Sequence, residues 1–568
     1  MISEPQTVQS MMDDALRHHR SGRFTEAEKI YHQILGVHPG HPDCLHLLGM
    51  IAYQAGNHET AARLIREAIS IHGSAVSYYV NLGTVLQAQG KLDDAVQLYR
   101  HALLFKPTLP EVHVNLGNVL QVQGKLDECI ECYKAALLLR PDSAETHNNM
   151  GNALEQQGQY DAAMSCYQQA LEIKPDYAEV YYNIGNACHA RNQLDEAVAN
   201  YHMALGMKPD YAEACYNLGN VLREQGKLDH ALEFFGKALD LRPDYAQAGF
   251  GEALAQLLVG NFSDGWRNFE RRWQSIDHDT PRRNYSVPAW RGERLETGKI
   301  LLWGEQGVGD EIMFAGLVPD VVRTGNQCVL QCDPRLAPLF ARSFPAVAVV
   351  ANVGVDPPQG LDIAAQLPCG SLPGLFRQTI SAFAAKTSPY LVTDSAATKR
   401  LRARYFDGRL LVGLAWHTNN FKTGRFRSID LSVLMPLFAQ SNVRWVSLQY
   451  GDNDALVSQT AAANAPILVD PAINQLSDMD AFAAQVAAMD LVITIDNSTA
   501  HLAGAIGIPV WVLLPFAPDW RWLLKTEESP WYPTMRLFRQ SRAGDWPSVV
   551  ERVKAALAVG SDDGFLSS

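Results

Sequence analysis

The sequence predicts an α-solenoid over its first half, followed by two α/β domains with parallel sheets. Three observations predict this. Chemically matched residues recur every 34 positions through the first half. The recurrence breaks after Trp273 into a connector rich in Pro, Arg and Gly. From Lys299 onward, short apolar runs alternate with helical or irregular stretches. At 568 residues the chain is long enough for two to four domains, and 47% hydrophobic with 19% charged residues describes a globular one. The expected bounds are 8–279 for the solenoid, 280–395 for the first α/β domain and 396–560 for the second.

The solenoid comes first. Gly83, Gly117, Gly151, Gly185 and Gly219 each lie 34 residues after the one before. The same step links Pro107, Pro141, Pro175, Pro209 and Pro243, and also Tyr99, Tyr133, Tyr167, Tyr201 and Phe235. A 34-residue period with these residue types is the signature of the tetratricopeptide (TPR) helix–turn–helix unit. The early Gly lets the two helices of a unit approach, as do small residues such as Ala95 and Ala102. The late Pro ends the second helix, because it has no N–H to donate and clashes with the preceding turn. Extrapolation places Gly22, Pro39, Gly49 and Gly56 in two looser N-terminal units, and Gly260 and Phe269 in a divergent last one. About seven repeats and a cap result, a surface suited to holding another polypeptide.

A second ladder runs along the first. Asn81, Asn115, Asn149, Asn183 and Asn217 each sit two residues before a repeat glycine. On the first helix of each unit they would line the concave groove. Amides in register can bond an extended peptide backbone without reading its sequence. The competing reading is that they bond to neighbouring repeats, which suits Asn118, Asn152, Asn186 and Asn220 better.

Composition limits the partners. A net charge of −13 argues against nucleic acid or an anionic membrane surface. No apolar stretch approaches the roughly 18 residues of a spanning helix, and the start lacks a signal-peptide pattern. Nine scattered cysteines suit a reducing cytoplasm. Cys129 and Cys132 form a CxxC inside a repeat helix, with no second pair at metal spacing, and read as structural.

Seven segments read as buried strands: 299–303, 328–332, 346–353, 410–416, 443–450, 491–496 and 510–515. Ligands of such sheets bind at the carboxyl ends of the strands, and three segments fall there. In LLWGEQGVGDEIMF, Gly304, Gly307 and Gly309 turn the chain into a helix opened by Asp310 and Glu311. A carboxylate there can take a proton from an acceptor hydroxyl, or it can simply cap the helix. In AWHTNNFKTGRFRSIDL, His417, Lys422, Arg425 and Arg427 follow a strand, suiting a diphosphate or else a solvated loop. In LVITIDNSTAHLAGAIGIPVWVLLP, Asp496 ends a strand and Asn497, Ser498 and Thr499 cap the next helix, which carries His501 in its first turn. Free N–H groups at that start make an anion site.

The D-x-S-x-x-H-L-A-x-A-x-G-x-P-V run and the upstream G-x-G-D resemble motifs of heptosyltransferase-like (family 9) glycosyltransferases, over about 299–545. The resemblance implies a TPR superhelix followed by an α/β GT-B-like pair of Rossmann-type domains. It implies Asp310 as general base, Lys422 as a donor contact, and Asp496, Ser498 and His501 as holders of a nucleotide sugar. Ser498, Glu305, Gln306 and the loop PFAPDWRWLLKTEESPWYP depart from the family pattern. Trp520, Arg521 and Trp522 in that loop could stack on a base or sugar, or pack. The repeats resemble the TPR arm of O-linked N-acetylglucosamine transferases, whose asparagine ladder holds the acceptor. The whole resembles bacterial TPR glycosyltransferases, including those that modify flagellin with a nonulosonic acid.

The expected function is transfer of a sugar from a nucleotide donor to a Ser/Thr hydroxyl of a protein in the TPR groove, flagellin foremost. Asp310 would be the base, with Glu311 or His501 as substitutes. Gly307, Gly309, His417, Lys422, Arg425 and residues 496–501 would hold the donor. No metal and no cofactor beyond the nucleotide sugar is expected, since Asp452 and Asp454 read as a turn. The alternatives are a scaffold with an inactive transferase fold, and an enzyme acting on a lipid-linked sugar of lipopolysaccharide type.

Overall fold

A computed structural model describes residues 7–276, 280, 282–352, 354, 360–384, 389–418, 424–451, 454–462 and 467–560. The chain divides into two compact units, Met1–Ala214 and Cys215–Ser568.

In the first unit, helices of 13 and 14 residues alternate from Val8–Arg20 to Leu194–Met207. Each pair turns through a residue in the left-handed region. Gly90 holds φ at +74°, and where the glycine is missing Asn192 takes φ +61°, which asparagine tolerates best among side-chain-bearing residues. The glycine and tyrosine ladders are two sides of one contact. A Cβ added to Gly117 would lie 2.6 Å from Tyr133, and one added to Gly151 would lie 2.4 Å from Tyr167. The tyrosines are fully buried. Their hydroxyls are satisfied inside the repeat: Tyr133 donates to Asn118 at 2.7 Å, Tyr167 to Asn152 at 2.8 Å and Tyr201 to Asn186 at 2.8 Å. Replacing Gly151 with Ala should therefore force a ring against backbone-fixed carbon and destabilise the solenoid by about 1–3 kcal/mol. Far-UV circular dichroism on thermal unfolding would show it. An unshifted transition would mean the ring moves freely.

The second unit begins within the helix Ala212–Glu224 and continues through the last repeat helices, Leu228–Leu241, Ala246–Leu258 and Phe262–Phe269, to a 3-10 turn at Glu270–Gln274. Two sheets follow. The first has β1 (Lys299–Trp303), β2 (Cys328–Cys332), β3 (Ala348–Ala351) and β4 (Ile363–Pro368) in the order β3-β2-β1-β4. The second has β5 (Leu410–Ala415), β6 (Val443–Ser447), β7 (Leu491–Ile495), β8 (Val510–Leu514) and β9 (Met535–Arg539) in the order β6-β5-β7-β8-β9. Every neighbouring pair is parallel. β1, β2 and β7 are almost wholly buried, as parallel strands covered on both faces must be.

All seven expected strands form, some shorter than read. β4 and β9 were not expected. In β4, Gln366 and Pro368 break the apolar run, and the polar side chain is accommodated because Trp303 Nε1 donates to Gln366 Oε1 at 2.7 Å. In β9, arginines at 536 and 539 flank the apolar pair. The last repeat helices belong to the compact unit that holds the sheets. The reason is aromatic packing. Trp266 meets Trp520 edge-on at 5.2 Å and Phe269 meets Trp520 at 5.9 Å, within a core that runs from Leu228 to Leu537. Among the described residues no helix is long and apolar enough to cross a membrane.

Candidate functional site

The turn after β1 carries the first candidates. Gln306 holds φ at +66°, a strained value for a residue with a side chain, and its N–H donates to Thr280 Oγ1 at 2.8 Å. Gly307 caps the helix Val308–Ala315, and Asp310 Oδ2 accepts the Gly307 N–H at 3.3 Å. Asp310 is thus a helix cap, as its spacing allowed, but its other oxygen accepts from Arg521 Nη2. Glu311 turns the opposite way. Its carboxylate lies beneath Gly304, where a Cβ would come within 2.4 Å, and accepts the Asp333 N–H at 2.8 Å. Burial raises its pKa to about 7, with the nearby carboxylates of Asp333 and Asp310 adding to the effect.

The second sheet supplies the facing wall. β7 delivers buried Asp496, and Asn497 caps the helix Ser498–Ile506, its Oδ1 accepting from Thr499 at 3.0 Å and Ala500 at 3.3 Å. Thr499 is buried and Ser498 half-buried. The first turns of the two helices touch: a Cβ on Gly309 would lie 3.2 Å from His501 Cδ2 and 3.4 Å from Ser498 Cα. An alanine there would be tight against the His501 ring and in ordinary contact with Ser498.

His501 is buried, stacked on Trp522 at 5.3 Å and 22°, with Nδ1 3.1 Å from the Tyr532 hydroxyl. Burial, then the cations Arg521 and Arg427, push its pKa down to about 3, so it stays neutral at ordinary pH. Asp496 faces Arg427 at 3.3 Å; burial raises its pKa and Arg427 opposes that. Arg521 bridges Asp310 and Asp519. Burial opposes its charge, yet the carboxylates of Asp310, Asp519 and Asp496 hold its pKa above the usual value.

The structure therefore brings together Gly307, Gly309, Asp310, Asp496, Asn497, Ser498, Thr499 and His501. His417 is exposed at the end of β5, where Gln449 holds its backbone through bonds of 2.8 and 3.2 Å. Lys422 and Asp452 lie outside the described residues, as do the side chains of Arg425 and Asp454. Trp520 and Trp522 are buried in packing, which removes them as stacking platforms. Cys129 is buried in a repeat helix and Cys132 is half-buried.

The asparagine ladder is partly spent on neighbours. Asn81 Nδ2 lies 2.8 Å from His46 Nε2, Asn149 donates to Asn118 at 3.2 Å, and Asn183, buried, donates to Asn148 at 2.8 Å. Asn115 and Asn217 are half-buried. The ladder thus ties successive repeats together, whatever else it binds.

Sequence reasoning missed Arg272. Its guanidinium is fully buried and forks onto Glu305 with two 2.9 Å bonds. Its other bonds reach Ser371 Oγ at 2.9 Å, Glu270 Oε1 at 2.9 Å and the Phe269 carbonyl at 3.2 Å. Glu305 also accepts the Gly370 N–H at 2.8 Å. This pair pins the candidate turn to the last repeat. No motif signals it, because the partners are 33 residues apart in different elements.

TPR families match residues 18–82, 85–124, 108–176, 166–199, 185–222 and 212–245. The N-terminal half is a TPR solenoid. Protein FlbA of Caulobacter vibrioides (strain ATCC 19089 / CIP 103742 / CB 15) is 32% identical over 326 residues, 54% of this chain and 54% of FlbA. The chain thus spans about half the length of that relative. The crystal structure of MamA overlaps 29% of the chain and 97% of MamA at 26% identity and a TM-score of 0.27. YrrB, described as a TPR protein with an unusual peptide-binding site, overlaps 33% of the chain and 96% of YrrB at 24% identity and a TM-score of 0.28. At these scores neither superposition bears on function.

Proposed function

We propose that this chain is a glycosyltransferase that moves a sugar from a nucleotide donor to a Ser/Thr hydroxyl of a polypeptide held by its TPR repeats, with flagellin the leading acceptor. The observation that carries this reading is the approach of Gly309, the residue before Asp310, to the start of the Ser498–Ile506 helix at the carboxyl ends of two parallel sheets. The helix start suits a departing phosphate through its dipole, which favours negative charge, although Asn497 Oδ1 already takes the Thr499 and Ala500 N–H groups. Asp310 would accept the hydroxyl proton as the acceptor oxygen bonds to the sugar and the sugar–phosphate bond breaks. Neutral His501 fits a hydrogen-bonding role and not proton transfer.

The test is to incubate the full chain with flagellin and, in turn, UDP-, GDP-, ADP- and CMP-linked sugars, then weigh the flagellin by mass spectrometry. A donor-dependent mass gain on Ser or Thr is expected. No gain with any donor would sink flagellin as acceptor under these conditions and favour the second reading, a scaffold with an inactive transferase fold. That reading draws on one observation, the engagement of Asp310 by Arg521.

The repeats' role is tested separately. Changing Asn115, Asn149 and Asn183 together to Ala should weaken acceptor binding about tenfold, the loss of roughly one net hydrogen bond. Donor hydrolysis should be spared. Undiminished acceptor binding would leave the ladder as a tie between repeats only.

A further inference from the structure

We infer that Arg521 is a phosphate-binding residue that exchanges the Asp310 carboxylate for the anionic leaving group of the donor. The inference deepens the proposed function and rests on its reading of the helix start as the donor site.

The arrangement is built for a shared cation. Arg521 follows Asp519 on a short 3-10 turn, and its own N–H donates to Asp519 at 3.1 Å. Its guanidinium then spans Asp519 and Asp310, so one cation serves two carboxylates from different elements. Its side chain is only 13% exposed. Arg521 and Arg427 are met here by Asp310, Asp519 and Asp496, so an entering phosphate must compete with carboxylates for these cations. Buried Asn497 marks the same helix start independently. Its Oδ1 caps the first turn, while its Nδ2 has no hydrogen-bond partner among the described residues. A buried donor left unmet is costly, and a phosphate oxygen would satisfy it.

Asp519 and Asp310 differ in what they lose by release. Asp519 remains tied to Arg521 through the backbone N–H of the same turn. Asp310 lies on the opposite wall and reaches Arg521 through its side chain alone. An entering phosphate, planar-forked by the guanidinium, therefore displaces Asp310 first. Release of Asp310 would leave its carboxylate open to the acceptor hydroxyl, coupling donor arrival to readiness of the base.

The test titrates inorganic pyrophosphate into the full chain by calorimetry, for the wild type, Asp310→Asn, Arg521→Gln and the double variant. If Asp310 competes for Arg521, Asp310→Asn tightens pyrophosphate binding about tenfold, the scale of one close charge pair. Arg521→Gln weakens it, and the gain from Asp310→Asn disappears in the Arg521→Gln background. A gain that persists there would reduce Asp310 to general charge repulsion and overturn the exchange. So would an unchanged affinity in Asp310→Asn, or a wild type that binds no pyrophosphate. Should Arg521→Gln fail to fold, Arg521→Lys keeps a charge for Asp519 but loses the fork, and the gain must still shrink. Pyrophosphate coupling with no sugar transfer would sink the enzymatic reading and leave the exchange standing.

Discussion

Replacing Asp310 with Ala should cut sugar transfer by about 10²–10⁴-fold, the usual contribution of a positioned general base. Acceptor binding by the repeats should be untouched. The expectation follows from position. Asp310 sits in the first turn of its helix, on the wall facing the Ser498–Ile506 helix, and its side chain is 19% exposed. The other candidates are worse placed. Glu311 points back under Gly304 to the Asp333 N–H, and His501 is buried and held neutral. Removing Asp310 also frees Arg521, so donor affinity should hold or rise while turnover falls. Measuring kcat and KM separately on one donor distinguishes this from a collapsed site, in which both worsen. Unchanged turnover would remove Asp310 as base.

Replacing Arg272 with Ala should destabilise the second unit by about 3–5 kcal/mol, because Glu305 would be left buried without its partner. Every donor direction of Arg272 is used, and neither side chain of the pair has any exposure. Intrinsic fluorescence during denaturant unfolding reads this cleanly, since all eleven tryptophans lie between Trp266 and Trp546, in the second unit. Pairing Arg272→Met with Glu305→Leu should recover much of the loss, as apolar replacement of a buried ion pair often does. A single Arg272→Ala variant with an unchanged midpoint would show that water reaches Glu305.

Strongly periodic features were legible because each repeat solves the same packing problem. The Gly–Tyr ladders, the pairing of helices and the seven apolar strands follow from spacing and residue type. The first helix turns at Asp310 and Asn497 were legible too, as local capping chemistry. What could not be read were contacts whose partners share no local pattern. β4 hides behind Gln366, whose cost vanishes only once Trp303 is beside it. Trp520 and Trp522 look the same in sequence whether they stack on a ligand or fill a core.

The local sequence, then, set the solenoid, the strand order's raw material and the helix starts, since these depend on neighbours within one or two turns or one repeat. Tertiary structure decided the rest. It assigned the last repeat helices to the unit of the sheets through Trp266, Trp520 and the Arg272–Glu305 pair. It turned Glu311 away from Asp310, and it placed Arg521 between two carboxylates 211 and 2 residues away. Such pairings are set by how surfaces fit and by the cost of burying charge, and neither is written at a fixed spacing in the chain.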